Sequence, residues 1–361
     1  MNMQDLIGFT VMAPRYYFGD LPCMLEGARR IYEFGSRTIK LVLSPNYRGE
    51  YPHNHDWPEL GSLTELVSHP QVKPVFDMNF HTFVLEAYPL SPVARDCPFM
   101  HLTPPVSDDC VVLDENTGLG EPIKRVFCSE QLKAEYEEIY RFASYLHEEY
   151  AGSGKTFIIQ NWESDWSVRG KGDPNMDPPP EKMEQLVTWI NNRQDAVDAA
   201  RRDHPGSGVN VWNCAEVNLV AHALEGRPTV TTCAVPKMRC DIYSYSSYDT
   251  SIAGTQLSDA LDLLLKYCPP SETVGDKNLF IGEYGLPENE FPVEQQLSSL
   301  ENVVTLAMKK GLRHVIYWEL YCNEKSLTHP SGCRGFWLIR KDGSPAPCYP
   351  VFKRMLEENE K

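Results

Sequence analysis

The sequence predicts a closed barrel of eight parallel β-strands surrounded by helices, the (β/α)₈ or TIM barrel. Short strand-like apolar runs alternate with amphipathic helical patterns along the chain, which is typical of parallel strands joined by right-handed helical crossovers. The runs number eight, a count that favours a closed barrel over an open sheet. The nucleotide-binding motifs G-x-G-x-x-G, after the first strand, and G-x-x-x-x-G-K-[ST] are both absent. An open nucleotide-binding sheet is therefore disfavoured.

Each predicted strand is a run rich in aliphatic, β-branched and aromatic residues. The eight runs are residues 6–13, 38–44, 72–78 or 82–88, 156–162, 209–217, 240–248, 279–284 and 314–321. The third strand is assigned to one of two neighbouring runs, because both have strand character. The sequence "GSGKT" at 152–156 lacks an upstream glycine and precedes a strand, so we interpret it as a turn and not as a phosphate-binding loop.

Helices are predicted where apolar residues recur at spacings of three and four. These patterns cover residues 25–32, 132–146, 186–197, 257–265 and 297–307. Gly35 and Gly311 follow the first and last patterns, and glycine is the residue that most often ends a helix.

Length, composition and charge restrict the class of protein. With 361 residues and 42% hydrophobic content, the chain can form one barrel domain over residues 1–361. The formal charge of −16 argues against nucleic-acid or anionic-membrane partners. The start of the sequence lacks a leader-like pattern and no run of 18 apolar residues occurs. We therefore expect a soluble cytoplasmic protein, unless an export signal has been removed; the oligomeric state is not indicated.

The eleven cysteines are odd in number and scattered, with no C-x-x-C pair. This spacing excludes a zinc ribbon or a thioredoxin-type motif and favours reduced, mostly buried thiols. A disulfide between Cys322 and Cys333 remains open.

Carboxylates and aromatic residues recur where the predicted strands end. The chemistry of a (β/α)₈ barrel lies at this carboxyl face, because the βα loops converge there. The residues concerned are Asn161, Trp162, Glu163, Trp166, Asn213, Glu216, Tyr243, Tyr245, Glu283, Trp318 and Glu319. Unrelated solvated acids would not gather with tryptophans at one mouth. We therefore predict that Glu283, in "GEYG", is a catalytic carboxylate and not a solvated turn acid.

Four motifs in this order resemble the retaining glycoside hydrolases of the (β/α)₈ superfamily called clan A. They are "IIQNWESDW" (158–166), "DIYSYSSY" (241–248), "IGEYG" (281–285) and "VIYWELY" (315–321). The resemblance implies cleavage of β-linked oligosaccharides or other glycosides with net retention, without a cofactor. It implies Glu283 as nucleophile, Glu163 as acid/base and Tyr243 or Tyr245 as the phenol that holds the nucleophile. It also implies Trp318 as the floor beneath the sugar, followed by a strained, cis peptide bond.

The sequence departs from the family pattern at two points. The acid/base of the family directly follows its asparagine, whereas Trp162 stands between Asn161 and Glu163. Either the strand bulges there or Asn161 has another role. The family's arginine near the end of the second strand is missing from "TIKLVLSPN", and Arg15 or Arg239 could replace it.

The chemistry of two carboxyl groups also stands without the resemblance. Glycoside cleavage needs one protonated carboxyl for the leaving oxygen and one ionised carboxylate near C1. An aromatic-lined mouth built from Trp162, Trp166, Tyr284 and Trp318 would push the two pKa values apart. We expect Glu163 and Glu283 about 5 to 6 Å apart for retention, whereas more than about 6.5 Å favours inversion. Asp165 or Glu216 would then be the candidate base.

Two other classes of protein remain open. One is a degenerate barrel that binds sugar without cutting it. The other is a metal-dependent isomerase or lyase with Glu163, Glu216 and Glu283 as ligands, which would also need histidines. Only His222 and His314 lie near the strands concerned.

Three loops, 46–60, 89–128 and 164–182, are expected to set specificity. The first carries His53, His55, Asp56 and Trp57, and such a polar run is more often solvated than metal-bound. We therefore predict no metal site.

Overall fold

Eight strands form the central sheet of the computed structural model, which describes residues 2–51, 57–96, 129–169, 173–251 and 256–358. The strands are β1 Ile7–Val11, β2 Thr38–Leu43, β3 Thr82–Ala87, β4 Thr156–Gln160, β5 Asn210–Val217, β6 Ile242–Ser246, β7 Leu279–Tyr284 and β8 Val315–Tyr317. Each strand pairs in parallel with the next along the chain, and β8 pairs with β1. The predicted (β/α)₈ barrel is therefore confirmed, whereas the extent of the domain over residues 1–361 stays a prediction.

The third strand is the second of the two runs left open. Residues 82–87 form β3, whereas the rejected run contains the helix Lys73–Asp77. Pro74 lies at the start of that helix, where its missing N–H costs nothing, while inside a central strand it would remove a ladder hydrogen bond.

Fourteen helices surround the barrel in the described part of the chain. They are α1 Met3–Leu6, α2 Cys23–Phe34, α3 Tyr47–Glu50, α4 Leu63–Ser68, α5 Lys73–Asp77, α6 Ser129–Glu149, α7 Ser164–Arg169, α8 Pro180–Asp203, α9 Val220–Leu224, α10 Val230–Cys233, α11 Tyr248–Ser251, α12 Gln256–Tyr267, α13 Val293–Lys310 and α14 Cys348–Glu357. Gly35 and Gly311 cap α2 and α13 with positive φ, as their positions in the sequence predict.

The interior of the barrel is filled in layers by alternate residues of the strands. An apolar cluster inside it contains Val84, Ile158, Trp212, Cys214, Ile242, Phe280 and Ile316. Side chains two positions further along a strand face the same side, so the next layer holds Glu86, Gln160, Glu216 and Ser244. This polar layer is the floor of the mouth at the carboxyl ends of the strands.

The turn before β4 agrees with the interpretation of "GSGKT". Gly152 and Gly154 both have positive φ. The ammonium group of Lys155 donates to the backbone oxygens of Phe76 and Met78 at 2.5 and 2.6 Å. The lysine is thus engaged in holding this turn against the end of α5.

The cysteines agree with the prediction of reduced, mostly buried thiols. The eight cysteines in the described residues are free thiols, and seven of them are buried. The disulfide left open between Cys322 and Cys333 is therefore not formed.

None of the described helices combines the length and the apolar character that a membrane span requires.

Candidate active site

A cavity of about 480 Å³ opens at the carboxyl ends of the strands. Both predicted catalytic carboxylates, Glu163 and Glu283, line it, together with Trp162, Trp166 and Trp318. The structure thus brings together five residues that the sequence placed at three separate strand ends. The walls are mainly aromatic and aliphatic, an environment in which charges are poorly solvated.

Glu283 is carried into the cavity by an irregularity in β7. The register between β6 and β7 shifts next to Tyr245, so that Ser246 is paired with Glu283. Gly282 precedes the acid because its backbone passes close to β6, where a methyl group would overlap the side chains of Ser244 and Glu216. Gly285 follows for a similar reason, since a Cβ there would lie 2.6 Å from the carbonyl oxygen of Trp318. Both glycines of "GEYG" are thus required by close backbone approach.

Lys40, in the middle of β2, is the cation next to Glu283. Its ammonium group lies 2.7 Å from Glu283 Oε1, 3.5 Å from Glu216 Oε2 and 4.0 Å from Glu86 Oε2. The side chain is 0% exposed. Burial alone lowers the pKa of Lys40, but the three carboxylates outweigh it and raise that pKa above its ordinary value. The lysine therefore stays charged.

Glu163 is held by a different set of groups. Its Oε1 accepts a hydrogen bond of 2.5 Å from the hydroxyl of Ser246, at the end of β6. Its backbone N–H donates to Glu216 Oε1 at 3.3 Å. The residue has a φ of 21°, an uncommon value for a residue with a side chain, and backbone strain of this kind is concentrated at functional sites.

The two carboxyl groups differ in how readily they ionise. Burial raises the pKa of Glu163 well above its ordinary value, and the charges of Glu283 and Glu216 raise it further. Burial also raises the pKa of Glu283, to about 7, but Lys40 opposes this rise. The ordering is therefore clear: Glu163 keeps its proton to higher pH than Glu283. This separation is the one that a paired acid and nucleophile need.

Aromatic side chains complete the walls of the cavity. The Trp318 indole N–H donates to Glu324 Oε1 at 3.1 Å, which fixes the ring plane. The peptide bond between Trp318 and Glu319 is cis, as predicted. Tyr248, at the start of α11, also lines the cavity, and among the described residues its buried hydroxyl has no hydrogen-bond partner.

Three predicted site residues point away from the cavity. Asn213 alternates with the interior Cys214, so it faces the helices and donates to the backbone oxygen of Ile190 at 3.2 Å. Ser244 is paired with the interior Glu216, so its neighbours on β6 face outward. Tyr243 accordingly donates to the Met238 oxygen at 3.0 Å, and Tyr245 to Asp249 at 2.5 Å. Neither phenol hydrogen-bonds to Glu283, which corrects the prediction for both tyrosines; Tyr248 is the tyrosine of this segment that lines the cavity.

Three further predicted residues lie behind the wall of the cavity. Asn161 accepts from the Glu216 N–H at 3.2 Å and donates to the Ser164 hydroxyl at 2.9 Å, so it braces β5 and the start of α7. Glu216 accepts from Ser244 at 2.7 Å and supports Lys40. Glu319 is fully buried and accepts from the Asn323 N–H at 2.9 Å. These hydrogen bonds favour a structural role for Asn161 over contact with a substrate.

The alternative acids and cations of the sequence are engaged elsewhere. Asp165 is fully buried and bound by Arg169 at 2.8 Å. Arg239 pairs with Asp195 on the outer surface, so it does not replace the missing family arginine. The backbone N–H of Arg15 donates to the Cys322 oxygen at 3.3 Å, and a replacement by Arg15 stays a prediction.

The polar loop after β2 contributes no described ligand to the cavity. Trp57 is buried and stacks with Tyr47 and His69. His53, His55 and Asp56 lie outside the described residues.

The carboxylates at the floor of the site surround the ammonium group of Lys40 and not an open metal position. Lys40 occupies the position between Glu216 and Glu283 in which a shared cation would bind. His314 lies at the other end of the barrel, with Nδ1 2.8 Å from the Asp5 oxygen, and His222 is on α9. Within the described ranges, no group of three histidine, cysteine or acidic residues is placed to hold a metal ion.

Sequence reasoning missed four residues of the site: Lys40, Glu86, Tyr248 and Glu324. Two of them had a visible signal. Lys40 and Glu86 are single charged residues inside otherwise apolar strands, "TIKLVL" and "TFVLEA", and a charge in a strand that is buried on both faces requires a partner. Tyr248 begins α11 and Glu324 lies in a loop, and the sequence offers no such signal at either position.

Comparison with known proteins gives a fold-level match. No family model matches the chain, and no curated protein is significantly similar in sequence. Among solved structures, a GH5_18 protein from Bifidobacterium longum subsp. longum in complex with Manβ1-4GlcNAc aligns with a TM-score of 0.62 at 12% identity, over 99% of this chain and 78% of that chain. A GH5_18 from Bifidobacterium longum subsp. infantis aligns with a TM-score of 0.58 at 13% identity, over 98% and 78%.

A third similar structure is a GH5-4 broad specificity endoglucanase from Clostridium longisporum. It aligns with a TM-score of 0.54 at 12% identity, over 99% of this chain and 97% of that chain. The chain therefore has the fold of the GH5 barrels of clan A. The resemblance predicted from the four motifs is confirmed at the level of the fold.

Proposed function

We propose that the protein is a glycoside hydrolase that cleaves β-linked glycosides with net retention. Glu283 is the nucleophile and Glu163 the acid/base. The observation that carries the proposal is the contrast between the two carboxyl groups of one aromatic cavity. Glu283 has an ammonium group as its partner, whereas Glu163 has a neutral hydroxyl.

In the first step the carboxylate of Glu283 attacks C1 of the sugar and forms a covalent glycosyl-enzyme. Lys40, 2.7 Å away, favours the ionised form of this carboxylate by opposing the rise in its pKa that burial causes. Glu163 donates its proton to the leaving oxygen as the glycosidic bond breaks. Because Ser246 donates to Oε1 of Glu163, the proton is carried by Oε2.

In the second step a water molecule replaces the leaving group. Glu163, now ionised, takes a proton from this water, which attacks C1 and releases Glu283. Two inversions at C1 give net retention. A retaining mechanism requires the two carboxyl groups to lie about 5 to 5.5 Å apart.

The aromatic lining supports a sugar substrate in the same cavity. Trp318 presents an indole fixed by Glu324, and the apolar face of a pyranose packs against such a ring while its hydroxyls point elsewhere. The similarity in fold to a GH5_18 structure in complex with Manβ1-4GlcNAc also supports a carbohydrate substrate.

A screen of aryl β-glycosides with different sugars tests the proposal. We expect turnover on at least one sugar, and NMR of the first product should show the β-anomer before mutarotation. Release of the α-anomer would contradict retention. If every sugar bound without turnover, the protein would instead be a sugar-binding barrel.

A further inference from the structure

We propose that the natural substrate carries an apolar leaving group, an alkyl or aryl aglycone, in place of a second sugar. The inference rests on the proposed function and names the substrate class of the same cavity. It follows from the apolar side chains that line the cavity, which include Trp166, Leu219, Leu286, Pro287, Phe291 and Phe336.

The position of two of these side chains, Trp166 and Leu219, identifies the part of the substrate that they contact. A general acid protonates the leaving oxygen, so the leaving group must lie on the Glu163 side of the cavity. Asn218 and Asp165 exchange two hydrogen bonds of 3.1 and 3.2 Å. These bonds hold the loop after β5 against α7, directly behind Glu163. Leu219 and Trp166 therefore flank the leaving group and not the sugar under attack.

Leu219 is held in an unfavourable conformation to form this wall. Its φ of 50° and ψ of 35° are left-handed, a region that a bulky side chain adopts only at a cost of about 1 to 3 kcal/mol. The side chain lines the cavity and is 8% exposed. A polar residue such as asparagine would adopt this backbone more readily and could bind a sugar hydroxyl, yet an aliphatic side chain occupies the position.

Charged groups at the rim of the cavity are already paired with one another. Arg334 binds Glu290 through two hydrogen bonds of 2.6 and 2.8 Å and Glu324 through one of 2.5 Å. Its guanidinium group also lies 5.0 Å from the ring of Phe336. Asp249 accepts from Tyr245 and from the Ala221 N–H. The hydroxyls of a second sugar would have to compete with these pairs for Arg334, Glu290, Glu324 and Asp249, whereas an apolar aglycone needs no polar partner.

Glycosides of one sugar with aglycones of increasing length test the inference. The sugar is the one cleaved in the aryl screen, and the series is methyl, butyl and octyl, below the critical micelle concentration, with a disaccharide of the same sugar. The alkyl leaving groups are similar in acidity, so differences in kcat/KM report binding. Each buried methylene contributes up to about fourfold. We expect at least a tenfold rise from methyl to octyl, and octyl above the disaccharide.

Variants of the wall make the test specific. Leu219→Asn tolerates the left-handed backbone and should reduce the octyl-to-methyl ratio about tenfold. Phe291→Ser, on another element, should lower it as well. Leu224→Asn, an exposed leucine on α9, should leave the ratio unchanged.

The two proposals fail in different ways. If kcat/KM did not rise from the methyl to the octyl glycoside and the disaccharide were cleaved faster, the proposal of an apolar aglycone would be overturned. The proposal that the protein is a glycosidase would still stand. An absence of turnover on every aryl glycoside would overturn the glycosidase itself.

Discussion

Replacing Lys40 by methionine should shift the acid limb of the pH–activity profile upward. The ammonium group lies 2.7 Å from Glu283 and 3.5 Å from Glu216. At an effective dielectric constant of about 20, these separations correspond to gross attractions of about 6 and 5 kcal/mol. Desolvation of Lys40 offsets much of this. An opposite charge at such a distance typically lowers the pKa of a carboxyl by about 1 to 3 units.

The sign of the change follows from the direction of the pKa shift. Glu283 must be ionised to attack, and burial with Lys40 present leaves its pKa at about 7. Without Lys40 that pKa rises, so the acid limb moves up by about 1 to 3 pH units. At pH 7 the value of kcat/KM should fall between about fivefold and several hundredfold, because each unit reduces the ionised fraction tenfold. Part of this loss should be recovered as the pH is raised.

The stability of the same variant provides a second readout. Removing one partner of a buried ion pair typically costs about 3 to 5 kcal/mol. The deficit in the free energy of unfolding should be largest at pH 8 and smaller at pH 5, where the unpaired carboxyls can take up protons. Lys310→Met, which removes a more exposed pair with Asp262, is the control and should change neither activity nor stability appreciably. An unchanged acid limb in Lys40→Met would refute the role given to Lys40.

Three other changes test separate parts of the site. Gly282→Ala should lower the free energy of unfolding by about 1 to 3 kcal/mol or more, measured by urea denaturation, because the added methyl overlaps β6; Gly61→Ala, with its nearest neighbour at 3.7 Å, should be neutral. Tyr248→Phe should reduce kcat/KM about tenfold or more without loss of stability. Tyr243→Phe should instead lose about 1 kcal/mol of stability and keep its activity, and the reverse pattern would return Tyr243 to the site. Since the pKa of Glu163 is raised by burial, folding becomes less favourable as the pH rises above the unfolded value of about 4.3. Glu163→Gln should therefore raise the melting temperature at pH 8 and hardly at pH 5, and equal changes at both would contradict that pKa.

The barrel could be predicted from the sequence because its signals are local and repeated. Each strand run and each helical spacing is visible by itself, and eight repetitions leave few alternatives. The ambiguity between residues 72–78 and 82–88 was also local. Pro74 marked that run as a poor central strand, and giving the proline more weight would have selected β3 directly.

The two carboxylates could be predicted because they stand where strands end, but the direction of neighbouring side chains could not. Tyr243 and Tyr245 lie on the correct strand and point outward, since the alternation on β6 follows from its register with Glu216 on β5. The register between two strands depends on how they pair in the closed sheet, so it cannot be predicted from the sequence of either strand alone. Tyr248, three residues beyond Tyr245, enters the cavity only because the chain turns into α11 after the strand.

The central claim is that Glu283 attacks the sugar and Glu163 supplies and removes the proton, and kinetics across leaving groups tests it most directly. For Glu163→Ala, kcat/KM should fall far more on alkyl glycosides than on activated aryl glycosides, because a good leaving group departs without a proton. For Glu283→Ala, turnover should be lost on every substrate, and azide should restore cleavage with an inverted glycosyl azide as product. Equal losses across leaving groups for Glu163→Ala, or near-normal turnover in Glu283→Ala, would contradict these roles.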